Sequence, residues 1–310
     1  MRKIVLWALA LIIVAPLSLA ALFPEDTARL AIDYERSRAA LAADTVSIDG
    51  EPWYFLAGGP EDGETLLLLH GFGGNKDNWV RLAGNLTDRY RVIIPDLPGF
   101  GDTNRHWDRD YSMPQQAKRV RRFVDALGLG RLHLAGHSMG GYIAGIYAHQ
   151  YPEHVETLTL VTNAGVGSPV ESEVARMVAA GDNPLVPRTR GEFDRLLALA
   201  SLEPPFVPWP VKGYLADQAI ARADFLDYLF DFLRRDDAGL EPRLPELEMP
   251  LFVLWGRHDR LLDVSTVDVI RELVPGAEVV ILENAGHLPI IETPDAAAAH
   301  YRAFLEKNAR

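Results

Sequence analysis

Seven runs of four to six residues recur along this chain, each apolar at consecutive positions rather than at every second one. They are "WYFLAG" (Trp53 to Gly58), "TLLLLH" (Thr65 to His70), "RVIIPD" (Arg91 to Asp96), "RLHLAG" (Arg131 to Gly136), "TLTLVT" (Thr157 to Thr162), "LFVLWG" (Leu251 to Gly256) and "EVVIL" (Glu278 to Leu282). A strand that is apolar on both faces has to be covered on both faces, which is the situation of a parallel sheet between two helical layers. Helical stretches separate the runs: Gln115 to Leu127, Met139 to Gln150, Asp263 to Leu273 and Asp295 to Lys307. Strand and helix in alternation predict an α/β fold with right-handed crossovers.

The rhythm breaks once. Between Ser168 and Pro245 there is no convincing buried strand, but there are nine prolines and amphipathic pieces such as "EFDRLLALASL" and "DFLDYLFDFLRR". An insertion at the carboxyl edge of a sheet sits over whatever site lies there, so a helical cap is expected over 168–246. It divides the core into a first part, 45–167, and a second, 247–310. Residues 25–44, where charge alternates with alanine and leucine, read as an amphipathic connecting helix.

Ahead of that, Met1-Arg2-Lys3 leads into Ile4 to Phe23, twenty residues without a charge. As a helix that run spans roughly 30 Å, the thickness of a bilayer core, with Arg2 and Lys3 on the cytoplasmic side. Residues 1–24 are therefore either a retained signal anchor or a signal peptide, with Ser18-Leu19-Ala20 as a cleavage site. The first places the folded part at the membrane on the periplasmic side; the second releases it. The chain has 31 basic and 43 acidic residues, a net charge of -12, which argues against nucleic acid as a partner. With no cysteine there can be no disulfide, thiolate metal site or cysteine nucleophile. No histidine or carboxylate cluster has metal-ligand spacing, so no metal or other cofactor is expected.

Gly136-His137-Ser138-Met139-Gly140 falls between a predicted strand and a predicted helix, the context in which G-x-S-x-G raises a serine out of a sheet edge. The flanking glycines leave room for the tight turn, and the helix start aims N–H groups at the site. A serine hydroxyl needs a base, and the base an orienting acid. His287, in "NAGHLPIIETP" between the last predicted strand and the last helix, is the expected base. Asp259, in the loop directly past "LFVLWG", is the expected acid, and Asp263 suits the start of the next helix better. Asn163, at the rival position after "TLTLVT", carries no charge. The backbone N–H groups of Met139 and of Phe72, in "HGFGGNKDNW", are the expected donors to a tetrahedral oxyanion. Asp96 is expected to tie its own turn together, Glu292 to anchor the loop of His287, and Lys76 and Asp77 to form a surface ion pair. The ring of His137 is expected to point away from Ser138. In the cap, Leu196, Phe206, Trp209 and Phe225 are candidates to line an acyl pocket, although core packing accounts for them equally.

From about Val46 to the C-terminus the chain resembles the α/β-hydrolase superfamily. The strings "LLLLHGFGG", "DLPGFGDT", "LHLAGHSMGGYIA", "LWGRHDRLL" and "NAGHLPIIETP" stand close to that family's own and in its order. The resemblance implies a mostly parallel eight-stranded sheet with helices on both faces. It also implies catalytic roles for Ser138, Asp259 and His287, and oxyanion roles for Phe72 and Met139. "HGFGGNKDNW" with the N-terminal apolar run is similar to bacterial lipases and esterases of the membrane-anchored monoacylglycerol lipase kind. That implies cofactor-free hydrolysis of acylglycerols or other medium-chain esters. Carbon–carbon and amide hydrolases share the serine triad and remain the alternative, whereas Ser138 argues against relatives that use an aspartate nucleophile.

Overall fold

The computed structural model describes residues 18, 20–235 and 239–309. Most of the expected N-terminal anchor, 1–17 and 19, lies outside the described residues; among those described, no helix is long and apolar enough to cross a membrane. The core is one sheet of eight strands: β1 (Leu41–Ile48), β2 (Glu51–Gly58), β3 (Thr65–Leu69), β4 (Arg91–Pro95), β5 (Leu132–His137), β6 (Val155–Val161), β7 (Leu251–Gly256) and β8 (Glu278–Leu282). Their order is β1-β2-β4-β3-β5-β6-β7-β8. β2 runs antiparallel to both its neighbours, and from β4 to β8 every pairing is parallel.

The consecutive apolar runs have a simple explanation. Successive side chains on a strand point to opposite faces. In β3, Leu67 and Leu69 enter one core with Leu134, Val253 and Trp255. Leu66 and Leu68 enter the other, with Ala135, Phe252 and Leu254. Two helical layers close these cores. The helices are α1 (Pro24–Arg38), α2 (Val80–Ala83), α3 (Met113–Ala126), α4 (Met139–Gln150), α5 (Glu173–Ala179), α6 (Arg190–Ala200), α7 (Trp209–Ala221), α8 (Ala223–Arg235), α9 (Thr266–Leu273), α10 (Pro289–Glu292) and α11 (Pro294–Lys307). α3 turns Met113, Ala117, Val120 and Val124 inward at helical spacing, while α4 is buried almost all round, as a central helix must be. α5 to α8 all lie between β6 and β7, over the carboxyl ends of the strands.

Two expectations need correction. The connecting helix ends at Arg38, and residues 41–44 belong to β1. β1 is an edge strand, buried at Leu41 and Ile48 but exposed from Ala42 to Thr45, so it carries no apolar run to read. Lys76 and Asp77 do not pair with each other. The Lys76 ammonium is buried, 2.7 Å from Asp96 and 2.7 Å from Asp102, while Asp77 takes both ends of the Arg36 guanidinium on α1. Burial pulls the Lys76 pKa down, but attraction and hydrogen bonds from the two carboxylates hold it above the ordinary lysine value. Asp96 also accepts from the Lys76 and Asp102 backbone N–H groups, so it does tie its turn, and it ties the loop after β3 to that turn as well.

Removing the ammonium leaves Asp96 buried without its cation. Lys76→Met is expected to cost about 3–5 kcal/mol of stability. Urea unfolding followed by tryptophan fluorescence would read this as a lowered midpoint with an unchanged slope. A midpoint equal to wild type would mean that Asp96 is not held by this pair.

Candidate active site

Ser138 sits between the end of β5 and the first residue of α4 at φ 53° and ψ -120°. A non-glycine residue rarely adopts positive φ, and here the surroundings fix it. Its N–H donates to Val161 O, and its carbonyl accepts from Gly141, Tyr142 and Ala164. A Cβ on Gly136 would lie 2.2 Å from Gly140 O, and one on Gly140 2.4 Å from the carbonyls of Leu69 and His70. Only hydrogen fits at either position, so the two glycines are what permits the corner under the serine.

His287 follows β8 in a buried loop. Its Nδ1–H donates to Asp259 Oδ2 at 2.8 Å, and both side chains are almost fully enclosed. The other carboxylate oxygen of Asp259 accepts from the N–H groups of Leu261 and Leu262. With Nδ1 as donor, Nε2 keeps its lone pair and can act as a base.

Three contacts hold the His287 backbone. Its carbonyl accepts from His137 Nε2 at 2.8 Å and from Thr162 Oγ1 at 3.0 Å, and its N–H donates to Ala200 O, the last residue of α6. The next layer out is Glu292, which accepts from the N–H groups of Gly286, Leu288 and Leu202. The loop anchor expected of Glu292 is therefore present, and it reaches the cap as well. The His137 ring does point away from the serine, but under the base rather than into empty core.

The loop after β3 brings Phe72 to the same place. His70 fixes its start: Nδ1–H donates to Gly71 O at 2.8 Å, and Nε2 accepts from the Leu97 N–H at 3.0 Å. Gly71 faces His137 and Ser138, where a Cβ would come within 2.9 Å and 3.0 Å of their side chains. Met139 is the first residue of α4, so no carbonyl within the helix can take its N–H. Neither His70 nor His137 stood out as a positioning residue in the sequence; the only hint is that each directly adjoins a glycine of a site loop.

Burial lowers the His70 pKa. Burial, followed by the neighbouring His287 and His70, pushes that of His137 down to about 3. The ordinary value, kept in the unfolded chain, is 6.5. Between the two values the unfolded chain binds protons that the native state does not. Stability is therefore expected to fall as pH drops below about 6.5, by up to ~1.4 kcal/mol per pH unit for each such histidine. Urea midpoints at about pH 7.5 and pH 5.5 test the sign. A higher midpoint at the lower pH would exclude neutral burial.

Ser138, His287 and Phe72 share the wall of a cavity of about 1040 Å³. That is at the upper end of the usual range for small-molecule sites, about 300–1,000 Å³. Of the four expected lining residues only Leu196 lines it. Phe225 is buried on the other face of α8, against Trp107, Tyr111 and Tyr228. Phe206 and Trp209 stand outside, 84% and 55% exposed, where the chain enters α7. Val211, Leu215, Leu226 and Phe230 line the cavity in their place, and Ala31 and Ile32 of α1 form a wall that the sequence did not suggest. Among the described residues no group of histidine and carboxylate side chains is arranged to hold a metal ion.

Residues 64–294 match the model of a family described as the alpha/beta hydrolase fold. Lipase 1 of Psychrobacter immobilis is 33% identical over 282 residues, covering 90% of this chain and 89% of that protein. Monoacylglycerol lipase abhd6-B of Xenopus laevis is 35% identical over 263 residues, 81% of this chain and 78% of the relative. A crystal structure described as a membrane phospholipase A, a novel bacterial virulence factor, superposes with a TM-score of 0.91 at 42% identity over 99% of both chains.

Proposed function

The chain belongs to the alpha/beta hydrolase family, and from that premise we propose that it is a serine carboxylic ester hydrolase of the lipase kind, working on acylglycerols and other lipid esters through an acyl-enzyme. The observation that carries this reading is the buried Asp259–His287 hydrogen bond, on a histidine that shares one apolar cavity with a serine held at positive φ. Lipases and monoacylglycerol lipases among the relatives support the ester over a carbon–carbon or amide bond.

In this reading Ser138 Oγ attacks the ester carbonyl as His287 Nε2 takes its proton. Asp259 stabilises the imidazolium that results. The carbonyl oxygen becomes an oxyanion and is met by the N–H groups of Phe72 and Met139. His287 returns the proton to the departing alcohol. Water then enters, gives a proton to the same nitrogen and releases the carboxylic acid, restoring Ser138. Every step uses side chains and backbone of this chain alone. The apolar N-terminal run, if retained as an anchor, would hold this cavity close to a lipid surface on the periplasmic side.

A p-nitrophenyl ester series from acetate to palmitate, with Ser138→Ala as control, tests the assignment. Activity that rises toward medium and long chains and vanishes in the variant is the expected result. No hydrolysis of any ester, with Ser138 still labelled by a fluorophosphonate, would keep the nucleophile and discard the lipid ester.

A further inference from the structure

α7 and α8 form one continuous wall of the cavity, broken by a bend at Arg222, whose N–H closes α7 on Ala219 O and whose carbonyl opens α8 by accepting from Leu226. The inward face is apolar along most of its length, with Val211 and Leu215 before the bend and Leu226 and Phe230 after it. At the bend two polar side chains interrupt it. Gln218 and Arg222 both line the cavity, one helical turn apart, joined by a 3.0 Å hydrogen bond from the guanidinium to the amide oxygen. Among the described residues no carboxylate lies within ion-pair distance of Arg222. The nearby acids are already engaged: Asp96 and Asp102 hold the Lys76 ammonium. Arg105, also without a carboxylate partner among the described residues, adds positive potential at the same place. Burial, and after it Arg105, lowers the Arg222 pKa, while Asp102, Asp96 and Tyr214 oppose this without restoring the ordinary value. Asp96 and Asp102 attract Arg222 from a distance, while their own ion pairs go to Lys76. A half-buried guanidinium with one hydrogen bond, to Gln218, has donors left that an anion in the cavity could take.

Resting on the reading of Ser138 as nucleophile, we propose that Arg222, oriented by Gln218, binds the phosphate of a glycerophospholipid whose acyl ester lies at Ser138. Arg222, Leu226 and Phe230 follow one another at every fourth residue, so Phe230 is roughly 12 Å along the helix from Arg222. The Phe230 ring packs on Phe72, 5.6 Å between centroids, beside the expected oxyanion position. A lipid with its ester carbonyl at Ser138 and its phosphate at Arg222 would lie along this stretch of the wall, across Leu226. The acyl chains would then lie along the apolar faces of α7 and α8, on either side of the bend.

The test uses two substrates that differ only in the headgroup, dilauroylglycerol and dilauroylphosphatidylcholine, in the same detergent micelles and with the full chain. Arg222→Gln should lower kcat/KM on the phospholipid about ten- to a hundredfold while leaving the diacylglycerol within about twofold, the loss expected for a hydrogen-bonded charge. Arg222→Lys, which keeps the charge but not the planar fork, should recover part of the loss on the phospholipid alone. An equal fall on both substrates would overturn the proposal and make Arg222 a structural residue of the cap. So would an unchanged phospholipid rate accompanied by weaker inhibition by sodium laurate, which would assign the site to the carboxylate of the released acid. Wild-type enzyme that hydrolyses the diacylglycerol but not the phospholipid would sink this inference and leave the esterase reading intact. Hydrolysis of neither would take down both.

Discussion

Exchange of Ser138 for alanine is expected to lower kcat on any ester substrate by at least ~10⁴-fold, because the attacking oxygen is gone and only oriented binding remains to accelerate attack by water. The fold should survive. The serine makes its structural contacts through its backbone, to Val161, Gly141, Tyr142 and Ala164, and all of these stay with alanine. Ser138→Gly should be equally inactive but more stable, because glycine occupies φ 53° without the cost of about 1 kcal/mol that a side chain incurs there. Turnover of a p-nitrophenyl ester and the melting temperature, measured on the same preparations, separate the two effects. Alanine and glycine variants that retain near-normal turnover would remove Ser138 from the chemistry altogether.

Asp259→Asn is the second large effect, and its cause lies in which oxygen does what. Oδ1 is committed to the N–H groups of Leu261 and Leu262, so an asparagine must put its own oxygen there and turn its amide nitrogen toward His287. That nitrogen can only donate. It forces Nδ1 of His287 to become the acceptor, which moves the imidazole proton to Nε2 and blocks the atom that should receive the serine proton. A loss of about 10⁴-fold in kcat is expected, with little change in stability, since the shape and the two backbone bonds persist. Fluorophosphonate labelling distinguishes this variant from the first: Asp259→Asn should label slowly, Ser138→Ala never. A loss below tenfold would mean that the acid is supplied from elsewhere.

The parts of this molecule that were legible in the sequence are those where a local pattern reports a global position. β3, β5 and β7 are buried on both faces, and their consecutive leucines and valines announce it. The expected catalytic residues follow strands directly, so their place at the carboxyl edge could be read once the strands were found. β1 left no such trace, because an edge strand needs burial only where it meets its neighbour. His137 and His287 meet across 150 residues, and nothing near either of them in the chain records that contact. The lining of the cavity is hard to read from the sequence for a related reason. α8 is apolar on two faces, one packing Phe225 and Tyr228 against Trp107 and Tyr111, the other turning Leu226 and Phe230 to the cavity. Composition and period cannot say which of two apolar faces looks inward. Lys76 read as a surface residue because lysine usually is one, and its burial depends on two aspartates some twenty residues on.

The three contacts on the His287 backbone bear on how caps of this kind can diversify. Ala200 O holds the His287 N–H, and Leu202 shares Glu292 with the residues on either side of that histidine. A length change that shifted the end of α6 would therefore be transmitted to the base, although every residue it altered would lie in the cap. Insertions or deletions in the turn between α5 and α6 carry no such penalty, and neither do exchanges among the apolar side chains of α7. Descendants of this chain are free to reshape the walls of the cavity, and with them the preferred substrate, as long as one three-residue seam keeps its register.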